Sequence, residues 1–296
     1  MRATSNSLSQ ISSIFSFGKT HSSQKKKEQD QPRSASHPND FGVEHLGSAI
    51  TLERVSKVYG RGASAVRALE GVSLDVGFGE FVCIVGASGC GKSTLLSLVA
   101  GLDQPTAGKV DVRVRTALMF QEAALFPWLS VWKNVELPLK IQRVRRDHRE
   151  QIVGALLEMV RLKGFEHRRP HELSGGMRQR AALARALAQR AEALLMDEPF
   201  GSLDAITRDV MHQEIEELWG ETGFTVLFVT HNVREAVRLG DRIVVMSSRP
   251  GRVIQEIPVS LPRPRRMESK EVAELATQIV DVLHREVRAH GTGQWR

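Results

Sequence analysis

The 296-residue chain has only two cysteines, Cys83 and Cys90. Seven positions apart beside one glycine-rich segment, they supply neither a disulfide framework nor the four ligands of a structural zinc site, and a reducing, cytosolic setting is the simplest expectation. Long apolar runs are missing too. Ala193 to Met196 and Val226 to Val229 fall far short of the roughly 18 residues a spanning helix needs, so any membrane role has to be borrowed from a partner. Nor is there a strong excess of charge. Lys plus Arg number 41 against 34 Asp plus Glu, a net +7 that is too mild to mark a histone-like binder of nucleic acid. No internal repeat is visible. With 41% hydrophobic residues, 24 Gly and 11 Pro, the chain has the composition of one large globular domain or two modest ones.

Residues 1–48 are rich in Ser, Gln and Lys and carry the run Lys25-Lys26-Lys27. Their scattered apolar residues cannot bury enough surface to offset chain entropy, which predicts a disordered, solvated arm. A transit peptide is the alternative, since the stretch before the lysine run is Ser-rich and free of acids; against it, that stretch holds only Arg2 and Lys19 as cations and no secretory apolar region. From Ala49 short apolar strands alternate with helical patterns, the texture of an α/β domain over 49–261 with mostly parallel strands covered on both faces. An extension over 262–296 follows. Leu261-Pro262-Arg263-Pro264-Arg265-Arg266 breaks regular structure, and Val272, Leu275, Ile279, Val282, Leu283 and Val287 then recur at helical spacing up to Gly291. The opposite face mixes Glu271, Glu274, Asp281 and Glu286 with few cations, so this amphipathic helix is expected to pack on the body of the protein rather than on lipid.

The chemistry opens with a phosphate cradle. Phe81 to Val85 reads as a buried strand and feeds directly into Gly86-Ala87-Ser88-Gly89-Cys90-Gly91-Lys92-Ser93-Thr94, after which Leu95, Leu96, Leu98 and Val99 follow a helical pattern stopped by Gly101. This matches G-x-x-x-x-G-K-[ST]: glycines let backbone N–H groups turn inward around phosphate oxygens, Lys92 reaches the β- and γ-phosphates, and Ser93 ligates Mg²⁺. The new helix aims its positive end at the same anion. The bland reading is a glycine turn with a surface lysine, which the complete strand, loop and helix context disfavours.

A P-loop alone leaves kinases, GTPases, helicases and transport motors open. Leu194-Leu195-Met196-Asp197-Glu198-Pro199 is an apolar run ending in two carboxylates, as expected where a buried parallel strand emerges beside a nucleotide. Asp197 would orient Mg²⁺ and Glu198 polarise the attacking water; a plain strand-to-turn cap is the alternative. Leu173-Ser174-Gly175-Gly176-Met177-Arg178-Gln179 opens a further helix. Its exposed N–H groups make an anion site, and because the P-loop already holds its own phosphates, this second site makes best sense against ATP held by another subunit. That predicts a dimer with shared active sites. A turn capped by Ser174 is the alternative.

The order GASGCGKST, Gln121, LSGGM, LLMDEP, Ser202-Leu203-Asp204 and His231 resembles the nucleotide-binding subunit of ATP-binding cassette (ABC) transporters over about residues 50–260. The resemblance implies a P-loop NTPase core of RecA-like α/β architecture, with a mostly parallel sheet, an antiparallel β subdomain and an inserted α-helical signature subdomain at about 122–180. It implies ATPase activity with ATP and Mg²⁺. It also implies that Tyr59 stacks on adenine, although by itself Tyr59 equally reads as a partly buried strand residue. In the same way Gln121 would touch Mg²⁺ and link the site to a permease, Asp204 would cross the dimer interface, and His231 would contact the γ-phosphate. Three departures stand out. Met177 replaces a glutamine common in relatives. Cys90 sits inside the loop, either inertly packed or with a thiol pKa lowered by nearby N–H groups. The segment 109–116 is shorter than the usual hairpin, which touches an edge element only.

Cassettes that carry no membrane span resemble those of importers: a homodimer on the cytoplasmic face of the membrane drives two permease chains fed by an extracytoplasmic solute-binding protein. Phe120 to Trp128, Asp197 to Ala205 and Ser247-Ser248-Arg249-Pro250-Gly251-Arg252 are most similar to the nitrate, sulfonate and taurine group, with aliphatic sulfonate the first expectation and nitrate the second. Leu125, Phe126 and Trp128 are candidates for an apolar permease groove, or for core. Arg143, Arg145, Arg146 and Arg149 read as a solvated helical face. A cassette working on nucleic acid or ribosomes is the rival; the single P-loop and the lack of sustained heptads argue against it, and no nucleic acid is expected.

Overall fold

The computed structural model describes residues 47–290. The N-terminal arm up to residue 46 and the helix stop at Gly291 lie outside the described residues; Ser48, assigned to the arm on composition, is the first residue of a strand.

Strand β1 (Ser48–Tyr59) pairs antiparallel with β2 (Val66–Gly77) and with β4 (Ala107–Val112), giving a three-stranded sheet of order β2-β1-β4. In β2, Val72, Leu74 and Val76 are buried while Ser73 and Asp75 face water, the alternation of a sheet with one covered face. The second sheet is different. It takes β3 (Phe81–Val85), β5 (Thr116–Met119), β6 (Ala193–Asp197), β7 (Thr225–Thr230), β8 (Arg242–Met246) and β9 (Val253–Pro258) in the order β5-β6-β7-β3-β8-β9. All neighbours are parallel except β8 and β9. Every residue of β3, β6 and β7 is buried, as it must be in a sheet covered on both faces.

The pleat divides these strands between two cores. Phe81, Cys83, Val85, Leu194, Met196, Val226 and Phe228 point to the helical side, whereas Val82, Ile84, Leu195, Leu227 and Val229 point to the antiparallel sheet and to α1 (Lys92–Val99). The helical side holds α2 (Val131–Ile141), α3 (Arg146–Met159), α4 (Gly175–Leu187), α5 (Ala205–Thr222), α6 (Val233–Leu239) and α7 (Lys270–His290). The P-loop core with a mostly parallel sheet, an antiparallel sheet and added helices is thus present.

The segment after β9 is strapped down by arginines. Arg263 stacks over the Trp219 ring at 4.3 Å and pairs with Asp241. Arg265, 5% exposed, donates to the carbonyls of Val237 (2.8 Å), Gly240 (2.6 Å), Leu261 (2.9 Å) and Val259 (3.0 Å). It therefore satisfies acceptors left over at the end of α6, where a cation is favoured. Burial lowers its guanidinium to a pKa of about 10. From there α7 lays Val272, Ala276 and Ile279 on the body, the packing its stripe predicts, although Val287 stays 46% exposed. No helix among the described residues is long and apolar enough to cross a membrane.

Candidate functional site

Strands β6, β7 and β3 are neighbours, so their carboxyl ends form one edge with steps of about 4.8 Å between strands. The loop after β3, the two acids ending β6 and the histidine after β7 are brought together by that order alone.

In the loop, Gly91 caps α1 with φ of 102°. A Cβ there would stand 2.7 Å from both the Ala68 carbonyl and the Leu69 side chain, so only glycine fits. Lys92 is 5% exposed and its Nζ donates to the Gly86 and Ala87 carbonyls, both at 2.9 Å, which folds the cation back over the loop it belongs to. Cys90 is 1% exposed; burial raises its thiol pKa despite the opposing pull of Lys92, so the packed reading holds and the lowered-pKa one does not. Ser88 and Gly89 are exposed at the loop tip, and Ser93 and Thr94 begin α1.

Asp197 is buried at the end of β6, with the Ser93 hydroxyl on its carboxyl side. Burial raises its pKa, against the pull of Ser93 and Lys92. Glu198 adopts a left-handed backbone with φ of 45°, a conformation that a non-glycine residue holds only where its surroundings enforce it. Its N–H donates to the Val229 carbonyl at 2.9 Å, and the turn aims the side chain outward. One oxygen, Oε2, then meets His231 Nδ1 at 3.0 Å and Gln121 Nε2 at 3.4 Å. A carboxylate only accepts, so in this contact His231 Nδ1 is the donor, and the ring is two-thirds exposed.

Both partners of Glu198 are held from behind. Buried Gln179, on α4, donates to the Gln121 carbonyl at 3.1 Å, and Arg185 on the same helix binds the carbonyls of Ala124 (2.7 Å) and Ala123 (3.1 Å). The His231 turn is fixed by Thr230, whose hydroxyl donates to Glu235 Oε2 and accepts from the Asn232 N–H at 3.0 Å. Glu235 Oε1 lies 2.6 Å from Nε2 of fully buried His212. The sequence reading missed Thr230, Asn232, Glu235 and His212. Asn232 followed three residues later by Glu235 is a capping pattern that marks the helix start, yet Glu235 turns to Thr230 and His212 instead.

The family profile described as ABC transporter matches residues 69–201. The taurine import ATP-binding protein TauB of Burkholderia pseudomallei is 48% identical over 213 residues, covering 69% of this chain and 82% of the relative. The aliphatic sulfonates import ATP-binding protein SsuB of Rhodopseudomonas palustris is 45% identical over 246 residues, 80% of this chain and 84% of the relative. The chain is an ABC transporter ATPase domain. Among solved structures, the ATP-binding cassette MJ0796, dimeric in a post-hydrolysis state bound to ADP and Pi, superposes with a TM-score of 0.67 at 35% identity, covering 72% of this chain and all (100%) of that one.

In this ABC domain the segment 173–177 at the start of α4 stands apart from the edge that carries Asp197, Glu198 and His231. Ser174 caps α4, its Oγ accepting from Met177 N at 3.2 Å, and Gly176 packs against Leu203. Met177 packs, partly buried, against the hydrophobic core. Asp204 is exposed and caps α5 through Thr207 N at 2.9 Å. Among the described residues no hydrogen bond or ion pair joins Ser174, Gly175, Gly176 or Asp204 to Lys92, Glu198 or His231. Tyr59 ends β1 at 42% exposed, with its hydroxyl on Asp103 (3.0 Å) and the Lys57 ammonium 5.0 Å over its ring.

An open groove of about 1190 Å³ lies between α1, β4, β5 and the helices α2 and α4, rimmed by the exposed apolar side chains of Leu102, Phe120, Phe126 and Ile141. Phe126 lines it; Leu125 packs against the core instead, and Trp128 is 68% exposed outside it. Of the four arginines read as a solvated face, Arg145 and Arg146 are exposed and ion-paired, while Arg149 turns inward to Glu136 (3.0 Å) and the Val144 carbonyl (2.7 Å).

Proposed function

We propose that two copies of this chain close face to face, each gripping the triphosphate of one ATP between its own phosphate loop and the signature helix of its partner. The convergence of His231 and Gln121 on one oxygen of Glu198, beside Lys92, Ser93 and Asp197, carries this reading. Lys92 and the N–H groups of residues 86–94 hold the phosphates, and Tyr59 offers an exposed ring to the adenine once Lys57 is displaced. Ser93, Asp197 and Gln121 fit a divalent cation, because they are oxygen donors and a cation would compensate the charge of the buried Asp197 carboxylate beside Ser93. Mg²⁺ held there would supply positive charge to the phosphates. Glu198 takes the proton of the attacking water, and the exposed ring of His231 contacts the γ-phosphate. Ser174, Gly175 and Gly176 donate to the phosphate held by the partner, and Asp204 lies at the seam. Closure is strong only while the γ-phosphate is present, so cleavage releases it. Turnover per chain that rises with protein concentration in MgATP supports this scheme; a rate independent of concentration breaks it.

The assembly that uses this cycle is read as an importer on the cytoplasmic face of the membrane, with two permease subunits and an extracytoplasmic solute-binding protein. The apolar rim of Leu102, Phe120, Phe126 and Ile141 suits the apolar face of a permease helix. For the cargo we take an organic sulfonate, aliphatic sulfonates first and taurine, itself a sulfonate, with them; the relatives named for these solutes are 44–48% identical. Nitrate is the second reading. No side chain of this chain has to touch the cargo, so the test is uptake: a strain lacking the chain loses sulfonate uptake and keeps nitrate uptake, and the reverse outcome overturns the assignment.

A further inference from the structure

The hairpin Ser247–Arg252 entered only as a mark of resemblance, yet it is built against the phosphate loop. Its own turn is tight: the Ser247 hydroxyl accepts from Arg252 N at 2.9 Å and lies 2.8 Å from the Pro250 carbonyl. It is stitched to β2, where Gly251 N donates to the Ala68 carbonyl (2.9 Å) and Glu70 N to the Gly251 carbonyl (3.0 Å), and Arg252 pairs with Glu70. Gly251 lies so close to the loop that a Cβ would fall 2.1 Å from the Cys90 carbonyl. From this platform exposed Arg249 places both Nε and Nη2 on the Gly89 carbonyl, each at 3.2 Å.

That contact has an orienting consequence. The peptide between Gly89 and Cys90 is planar and trans, so a carbonyl turned out to Arg249 forces the Cys90 N–H the opposite way, into the loop. There it meets the Ala87 carbonyl at 3.3 Å, a long bond that a phosphate oxygen can replace. Gly89, with φ of 72°, has no side chain to resist a flip of this peptide. We infer that Arg249 is a positioning residue for nucleotide binding: its guanidinium locks the Gly89–Cys90 peptide so that the loop presents a donor, not an acceptor, to the phosphates. The inference rests on the reading of residues 86–94 as the ATP site.

The test is MgATP affinity by calorimetry on the full chain. Arg249→Ala should weaken binding about three- to tenfold, the size of one lost hydrogen-bond constraint, with the nucleotide-free unfolding temperature unchanged. Arg249→Lys, with one donor head instead of a fork, should recover part of the loss. Arg252→Ala, which cuts only the pairing to Glu70, should bind as the parent does. Unchanged affinity in Arg249→Ala, or an equal loss in Arg252→Ala, overturns the clamp. Lys92→Ala separates the two levels: if it binds MgATP like the parent, the phosphate-loop reading fails and the clamp with it, whereas its loss beside an unaffected Arg249→Ala removes the clamp alone.

Discussion

The edge where β3, β6 and β7 end and the start of α4 are built in opposite ways from the same chain. Lys92, Asp197, Glu198 and His231 stand at or just beyond the carboxyl ends of three adjacent strands whose residues are wholly buried; Lys92 is bonded to its own loop, and Glu198 to His231. Ser174, Gly175 and Gly176 sit at a helix start whose capping bond is local, with no hydrogen bond or ion pair to the edge among the described residues. The first region is assembled within one chain; the second presents a capped helix start to its surroundings. Between them runs α4, which opens with the signature and holds the Gln121 loop through Gln179 and Arg185.

The sharpest way to break the comparison is to disable the edge alone. Glu198→Gln should cut turnover by about 10² to 10⁴, the loss of a general base, while ATP still binds and dimers accumulate in light scattering. Near-normal hydrolysis removes Glu198 from its role. Next in size comes the support of the edge. Arg265→Ala leaves several buried carbonyls behind the His231 helix without donors, and should lower stability by about 2–4 kcal/mol in denaturant titration. Disabling the signature should look different: Ser174→Arg should lower turnover roughly 10- to 100-fold, as for lost hydrogen bonds to a charged phosphate, with the single chain binding MgATP as before. A loss of affinity in the single chain would join the two regions into one site.

The smallest effect concerns the buried acid. Burial raises the pKa of Asp197, so the folded chain holds that proton more tightly than the unfolded one. Its ionisation therefore withdraws stability as pH rises from the ordinary carboxylate range through the raised value. Without nucleotide, Asp197→Asn should unfold at a higher temperature than the parent at pH 7 and at the same temperature near pH 3, where both states are protonated. Scanning calorimetry at the two pH values decides it.

The local motifs were legible because each spans fewer than about ten residues: a strand, a glycine loop with Lys92 and a helix announce a phosphate site whatever surrounds them. The division of the core was legible in the fully apolar strands. Other contacts were not. Arg249 reaches Gly89 across 160 positions and Gln121 reaches Glu198 across 77, and nothing near either residue signals its partner. Phe126, Leu125 and Trp128 looked equivalent as an apolar run, and only the packing of α2 and α4 assigned them to groove, core and solvent.

The sequence by itself determined the chemistry of each piece: a cradle for phosphate, a pair of acids, a donor-rich helix start and a histidine in a turn. Tertiary structure alone decided that β6 and β7 stand beside β3, which brings Asp197, Glu198 and His231 to the same sheet edge as the loop of Lys92, and that Arg249 and Arg265 bind the loop and the end of α6. The reason is physical. Backbone conformation follows from neighbours along the chain, but strand order and buried hydrogen bonds are settled by which surfaces can be covered without leaving polar groups unpaired.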